Sequence, residues 1–367
     1  MTVALTVIIV GYLLVGVAVA GRLLTHRPPP VVPDADLPRA VIVVAARDEE
    51  ACLGRCLEAL RAQDYPADRL SIVVADDHST DGTAEVVRDA AARDGIAISY
   101  VRVPDPTGAL RGKAQALHTA FSASDAEVFL LTDADCAPVP TWARTLASGF
   151  ADPAMGIHCG LARLMPRPDH PTDAIQALDW EYLIGVVSAA AEAGFPATGM
   201  GNNMAVRRAA YEAVGGYPAL PFSVTEDFIL VRAVAEAGWR VRFPMDRASR
   251  VWSLPAPSLA AAYDQRRRWA RGGLSDNLWV LPVYAFVFAV HVLMVAGIVL
   301  QPRLGLAALG AMVLAVGMVL GVLRHRAGGR LRPWAILGTV AFQIAYFTTL
   351  PVVLLLRPRI GWKGRRL

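Results

Sequence analysis

Four long apolar stretches, one at the start of the chain and three at its end, constrain this sequence more than any other feature. Residues 3–20 (VALTVIIVGYLLVGVAVA) carry no charge, and residues 278–300, 304–323 and 334–356 are each close to the length that a bilayer-spanning helix needs. Three such runs in succession, joined by loops as short as QPR, read as membrane segments rather than buried core helices. The first run lacks the basic leader of a signal peptide, and its apolar character continues through Leu24, so it too reads as a span. The spacing predicts a span at 1–24, a stiff proline-rich linker at 25–39 and a folded domain at 40–257. An arginine-rich helix follows at 258–275, then three spans within 276–357 and a basic tail at 358–367.

Between these ends, residues 41–150 alternate. VIVVA, SIVVA, ISYVRV and VFLL read as strands at 41–45, 71–75, 98–103 and 128–131. Helical patterns separate them, with Leu53, Cys56, Leu57 and Leu60 on one face of the first. Such alternation predicts a parallel sheet covered by helices on both faces, with ligands beyond the strands' C-terminal ends. Residues 151–275 are less regular. MGIHCGLARL reads as one strand, residues 172–193 as a helix, and Glu226 to Ala237 as another.

Acidic residues collect where those strands end. VFLL runs straight into Thr132, Asp133, Ala134 and Asp135, whose two carboxylates sit at i and i+2. Two acids held that close favour a cation beside them, and a hard divalent ion with oxygen ligands fits. The second strand ends in Asp76, Asp77, His78, Ser79, Thr80, Asp81, Gly82 and Thr83. There a carboxylate could accept a hydrogen bond from a base's imide, while Ser79 to Thr83 offer a turn and a helix cap. The first strand is followed by Ala46, Arg47, Asp48, Glu49 and Glu50, a third acidic rim. Further on, Asp227 of Thr225-Glu226-Asp227 opens a helix and could serve as a cap or as a general base. Gln265-Arg266-Arg267-Arg268-Trp269 offers guanidinium groups for a leaving diphosphate and an indole face for a sugar ring.

Other chemistries find little support. The net charge of +4 gathers beside the apolar segments, which favours anionic headgroups over nucleic acid, and no aromatic-basic RNA-binding module is present. Cys52, Cys56, Cys136 and Cys159 lack zinc-site spacing and read as free thiols of a reducing compartment.

In order, ARDEE (46–50), DDHSTDGT (76–83), RGKAQAL (111–117), DAD (133–135), GNNMAVRR (201–208), TED (225–227) and QRRRW (265–269) resemble glycosyltransferase family 2. These are membrane-attached inverting enzymes related to ceramide glucosyltransferases and to cellulose, chitin and hyaluronan synthases. The resemblance covers about residues 40 to 275 and implies an α/β architecture: a GT-A domain with a Rossmann-like nucleotide-binding sheet, plus transmembrane helices. It implies roles residue by residue. Asp76 would sit at the uracil, with Ala46 and Glu49 near the nucleoside and Lys113 near the nucleotide pocket. Asp133 and Asp135 would hold the ribose, the diphosphate and the metal, Asp135 being the direct ligand of Mg²⁺ or Mn²⁺. Asp227 would be the base, and Gln265, Arg268 and Trp269 would match the element that binds diphosphate and floors the acceptor site. His118 stands where relatives often carry asparagine, and no role is assigned to it.

The physical logic is consistent with these roles. A departing diphosphate develops negative charge, which a metal at Asp135 and the Arg268 guanidinium would stabilise. An acceptor hydroxyl needs a base as the new bond forms, and Asp227 alone suffices for a single inverting displacement. The expected donor is a UDP-sugar such as UDP-glucose, and the expected acceptor a lipid hydroxyl. The alternatives are a processive polysaccharide synthase, for which the C-terminal spans hold few polar residues beyond His291 and Gln343, and a non-catalytic scaffold, which would not need Asp135 and Asp227. Positive-inside counting on Arg22, Arg27 and 323–333 puts the domain on the cytoplasmic face of a multi-pass protein of the cell's inner membrane, although the tail breaks the rule. Arg266, Arg267 and Arg271 are expected to meet lipid phosphates, each adding roughly 1 kcal/mol.

Overall fold

The computed structural model describes residues 1–106, 110–196, 198–276 and 281–356, with the backbone of 361–362 and 365–366. The helices are α1 (Thr2–Thr25), α2 (Glu50–Arg61), α3 (Thr83–Ala91), α4 (Gly112–Ser122), α5 (Trp142–Ser148), α6 (Pro171–Glu192) and α7 (Arg208–Ala213). They continue with α8 (Gly216–Ala219), α9 (Glu226–Glu236), α10 (Leu259–Asp276), α11 (Leu281–Leu300), α12 (Pro302–Ala327) and α13 (Pro333–Leu356). The strands are β1 (Ala40–Ala46), β2 (Leu70–Asp76), β3 (Ala97–Arg102), β4 (Val128–Asp133) and β5 (Ala137–Pro138). After them come β6 (Met155–Cys159), β7 (Ala162–Leu164), β8 (Met204–Arg207), β9 (Arg240–Arg242) and β10 (Val251–Ser253).

The main sheet has the order β3-β2-β1-β4-β8-β6-β9. The first four strands run parallel, as their alternation with helices predicts. The sheet as a whole is mixed, because β8, from the less regular part of the chain, is antiparallel to both β4 and β6. That reversal has a consequence for the site. Leu131 pairs with Met204, so the Gly201–Asn203 loop entering β8 lies at the same sheet edge where β4 delivers Asp133. The stretch MGIHCGLARL is also not one strand. It breaks after Cys159 and re-enters as β7 in a second sheet of order β5-β10-β7. Gly160 sits at the break, where a Cβ would lie 2.4 Å from Asn203 Oδ1.

Strand periodicity divides the core in two. Val41, Val43, Phe129 and Leu131 face α4, α6 and α9, while Ile42, Val44, Ile72 and Leu130 face α2, α3 and α5. The first of these cores runs without interruption into Val19 and Leu23 of α1 and Val319 and Leu323 of α12. Among the described residues four helices, α1 and α11 to α13, are long and apolar enough to cross a membrane. On α1 the residues Val3, Val7, Leu14 and Val17 point outward, as lipid-facing side chains do. The span expected at 304–323 extends to Pro302 and Ala327, that expected at 334–356 begins one residue earlier, and residues 278–280 of the span expected at 278–300 lie outside the described residues. So does most of the basic tail, apart from the pairing of Gly361–Trp362 with Arg365–Arg366.

Candidate active site

The loops after β1 and β2 are laced together. Asp77 N–H donates to Ala46 O at 2.8 Å, Asp48 N–H to Ser79 Oγ at 2.9 Å, and Thr80 N–H to Asp48 Oδ1 at 2.8 Å. Glu49 N–H donates to Thr83 Oγ1 at 2.8 Å, Glu50 N–H to Asp81 Oδ2 at 3.0 Å, and Gly82 N–H to Glu50 Oε2 at 2.9 Å. Asp48 and His78 take the left-handed conformation, with φ of 52° and 63°. Strain of this kind survives only where neighbours hold it, as this lacing does. Asp76 is buried and holds the rim from within: its carboxylate accepts from Ser79 N–H at 2.9 Å and Tyr100 O–H at 2.7 Å. Glu49 opens α2, with its carboxylate accepting from Cys52 Sγ at 3.1 Å.

Asp133 ends β4 and Asp135 follows two residues on, both half-buried, while Ala134 and Cys136 turn into the core. Burial, and after it the Asp133 charge, raises the Asp135 carboxyl above its usual range. A cation beside it would reverse that shift. The same burial, with Asp135 and Asp133 next, pushes the Cys56 and Cys136 thiols well up, so neither is a ready nucleophile. Cys159 is pushed up by burial to about 12, and all four cysteines are free.

Lys113, on the first turn of α4, joins the two halves of the site. Its Nζ lies 2.7 Å from Asp133 Oδ1 and 3.0 Å from Glu226 Oε1. Burial alone would lower this ammonium, but Asp133 and Glu226 outweigh it and hold Lys113 well above its ordinary value. Glu226 is itself raised, by burial and by Asp227, against the pull of Lys113. Asp227 Oδ2 accepts from Gly201 N–H at 2.8 Å, and Oδ1 accepts from Phe228 N–H at 2.9 Å. The loop is close-packed at 201, where a Cβ would stand 3.3 Å from Asp227 Oδ2, Glu226 Oε1 and Lys113 Nζ alike. Asn203, two residues on, braces the loop by accepting from Trp142 Nε1 at 2.8 Å and donating to Ser249 O at 2.9 Å.

The arginine-rich helix reaches this constellation from the side of α13. Gly272 of α10 abuts Thr225, whose Oγ1 would lie 2.5 Å from a Cβ at 272. Ala262 packs with Phe342 and Tyr346, and Ala270 with Leu350 and Leu354. Burial lowers the Arg268 guanidinium, with Asp264 and Glu226 partly offsetting it. Among the described residues no carboxylate lies within ion-pair distance of Arg268. Gln265 Oε1 accepts from Arg266 at 2.9 Å, and the Trp269 ring packs 5.1 Å from Trp180. Arg266 does not face lipid phosphates as expected. It is 5% exposed and pairs with buried Asp179 of α6 at 2.7 Å, because that carboxylate needs a cation to be buried at all.

Of the site residues expected from the sequence, Ala46, Glu49, Asp76, Asp133 and Asp135 thus lie at the ends of β1, β2 and β4, Lys113 and Asp227 on the first turns of α4 and α9, and Gln265, Arg268 and Trp269 on α10. The sequence reading passed over Gly201 and Glu226 as functional positions, and over Asp179 and Tyr346 altogether. Acids at buried positions of an otherwise apolar helix, as in Asp179-Trp180-Glu181, were the available signal.

A divalent ion fits the donor chemistry at Asp135, a half-buried carboxylate raised by burial and by the neighbouring Asp133 charge. Among the described residues no three histidine, cysteine or acidic side chains gather into a ligand set. A hard ion there would take its remaining ligands from phosphate and water.

A mixed sheet of this order, with acids at the ends of β1, β2 and β4, is a GT-A arrangement and marks a transferase. The chain belongs to the family described as glycosyltransferase like family 2, whose model matches residues 38–272. It is 28% identical over 265 residues to the beta-monoglucosyldiacylglycerol synthase of Synechocystis, covering 69% of this chain and 52% of that protein. It is 30% identical over 254 residues to an N-acetylglucosaminyltransferase of Rhizobium leguminosarum, covering 66% and 57%. The "Probable glycosyltransferase YdaM" of Bacillus subtilis is 27% identical over 239 residues, covering 65% and 56%. The chain thus spans about half the length of these curated relatives. Among solved structures, a mannosyltransferase of Pyrobaculum calidifontis, in complex with GDP-Man and Mn²⁺, aligns with a TM-score of 0.60 at 24% identity. That alignment covers 96% of this chain and 97% of the other, and it shows the shared fold.

Proposed function

We propose that this enzyme transfers one hexose, with inversion, from a UDP-sugar to the hydroxyl of a membrane lipid. The observation that carries the reading is the Lys113 bridge. It gathers Asp133, at the end of the nucleotide-side strand, and Glu226, beside the proposed base, around one ammonium. Ala46, Glu49 and Asp76 border the nucleoside. Asp133 and Lys113 face the diphosphate, and Asp135 would ligate Mg²⁺ or Mn²⁺, which would supply Lewis-acid stabilisation of the leaving group. Arg268 adds a further cation for the leaving group. Asp227, oriented by the Gly201 and Phe228 amides, takes the proton of the acceptor hydroxyl as that oxygen attacks the anomeric carbon.

The lipid acceptor is supported by the packing of α10, which carries Gln265, Arg268 and Trp269, along α13. It is supported also by the use already made of polar groups in the spans. His291 Nε2 lies 3.0 Å from Tyr12 Oη, and Gln343 donates to Asp179 at 3.0 Å, so neither lines a wet tunnel for a polymer. The likeness to a glucosyldiacylglycerol synthase points the same way. We place the domain on the cytoplasmic side of the cell's inner membrane. Arg326 donates to the carbonyls of Leu23 and His26, which joins the basic ends of α1 and α12 beside the domain.

The test is reconstituted protein given a panel of UDP- and GDP-sugars with native lipid extract, read by mass spectrometry. A glycolipid bearing one added sugar is expected from a UDP donor. A ladder of long chains in the aqueous phase would replace this reading with a polysaccharide synthase. Cysteine labelling at the tail, accessible from the outside only, checks the four-span topology.

A further inference from the structure

Asp179 is fully buried on α6, and three elements converge on it. From α10, Arg266 donates through Nε at 3.1 Å and Nη2 at 2.7 Å, both to Oδ2. From α13, Gln343 Nε2 donates to Oδ1 at 3.0 Å and Tyr346 O–H to the same oxygen at 3.2 Å. Both oxygens of the carboxylate are therefore engaged, one by the helix carrying the motif and one by a candidate membrane span.

Arg266 passes this anchoring on. Its Nη1 donates to Gln265 Oε1 at 2.9 Å, and its guanidinium lies 4.4 Å from the Trp269 ring centroid. The other neighbour of Trp269 is Trp180, the residue after Asp179, and the Trp180 Nε1 is fixed by Ala162 O at 3.1 Å. One arginine thus sets the rotamers of two residues of the transfer motif while being held by a carboxylate on α6. A buried ion pair kept for stability alone would serve no better than apolar side chains of the same volume. Here the planar guanidinium does what an apolar side chain could not, donating in two directions and offering a flat face.

We infer that Asp179 and Arg266 are positioning residues for the transfer site, and that Gln343 and Tyr346 tie the geometry of that site to the seating of α13. The inference rests on the reading that Gln265 and Trp269 border the reacting groups. It makes α13 part of the catalytic apparatus, at a distance, and the surrounding bilayer a condition of activity.

The test uses the full chain in lipid nanodiscs. Arg266→Lys keeps the charge opposite Asp179 but loses the donor to Gln265 and the flat face against Trp269. Transfer kcat should fall about tenfold, as a displacement under 1 Å at a reacting site allows. UDP affinity by calorimetry should stay within about threefold and the unfolding midpoint within about 2 °C. Gln343→Leu and Tyr346→Phe, which remove one neutral hydrogen bond each, should lower kcat about threefold without moving UDP affinity. Wild-type kcat in all three variants overturns the inference, as does a loss of kcat that only follows the loss of folded protein. Gln265→Ala and Trp269→Ala separate the two levels. If they too leave transfer intact, the proposed site itself is wrong. If they abolish it while the three positioning variants do nothing, only the inference falls.

Discussion

Two groups of carboxylates lie within one fold and are treated in opposite ways. In the strand-end group Asp133, Asp135, Glu226 and Asp227 share the single ammonium of Lys113. On α6, by contrast, every buried or half-buried acid is matched. Asp173 pairs with Arg167 at 2.7 Å, Asp179 with Arg266 at 2.7 Å, and Glu192 with Arg242 at 2.8 Å. Glu181 has both Arg163, at 2.8 Å, and Arg324, at 2.9 Å. The first group leaves negative charge in excess, the condition for attracting a divalent ion and for a carboxylate to act as a base. The second group leaves none, and its work is to hold α6 against α10, α12 and the rest of the domain. Counting partners separates acids left with free negative charge from acids that are fully paired, where residue type alone does not.

The sharpest way to break this distinction is at Asp227. Asp227→Asn should lower transfer about a thousandfold, the range general-base removal produces, with UDP affinity near normal. The amide keeps the shape and can still accept from Gly201 N–H, so equal losses of rate and nucleotide affinity would show that Asp227 serves the donor instead. The matched experiment on α6 is Glu181→Gln. It leaves Arg163 and Arg324 without a countercharge at a position 3% exposed, and about 3 kcal/mol of stability should go with it. The rate per folded molecule should not change. A variant of wild-type stability would mean that the arginines find other partners, such as the Ala327 and Gly328 carbonyls that Arg163 already uses. Third comes Asp135→Ala, which should weaken metal-dependent UDP binding about a hundredfold. Calorimetry with and without Mn²⁺ reads it, and a variant that keeps the metal dependence would move the ion elsewhere.

Asp133 and Asp135 were legible in the sequence because their signal is local. An apolar run ending in acids states both the strand and the position of the acid, and β1, β2 and β4 all do so. The α6 group was not legible because each of its partners lies far along the chain. Asp179 and Gln343 are 164 residues apart, and nothing around either position hints at the other. The reversal at β8 escaped for a related reason: MAVR is equally good as a parallel or an antiparallel strand, and only its pairing with β4 and β6 decides. Arg266 shows the limit most plainly. In sequence it is one of three adjacent arginines on a helix beside a membrane span, and those arginines read alike until the fold puts a buried acid opposite one of them.

The smallest expected effect tests the matched group through acid. Burial by itself would raise the Glu192 carboxyl, but the His26 ring, with Nδ1 3.3 Å from Oε2, and hydrogen bonds from Arg242 outweigh it and hold the group down at about 2. Phe243 N–H adds a further donor at 3.1 Å, and Arg22 donates to the Glu192 carbonyl. A carboxylate whose folded value is depressed contributes stability that is fully present above its unfolded value, near 4.5, and is lost as pH falls toward 2. The contribution at neutral pH should be about 2 kcal/mol, allowing for the partial exposure of Arg242. Other acids titrate in the same window, Asp173 among them, since Arg167 lowers it too. The measurement is therefore a difference. Unfolding midpoints of the wild type and of Glu192→Gln, taken from pH 6 to pH 2.5, should lie furthest apart at pH 6 and converge toward the acid end. Curves that stay parallel throughout would show that Glu192 keeps its ordinary affinity for protons. The junction of α1 with the domain would then be held by the Arg326 clamp on Leu23 and His26 rather than by the Glu192 pairs.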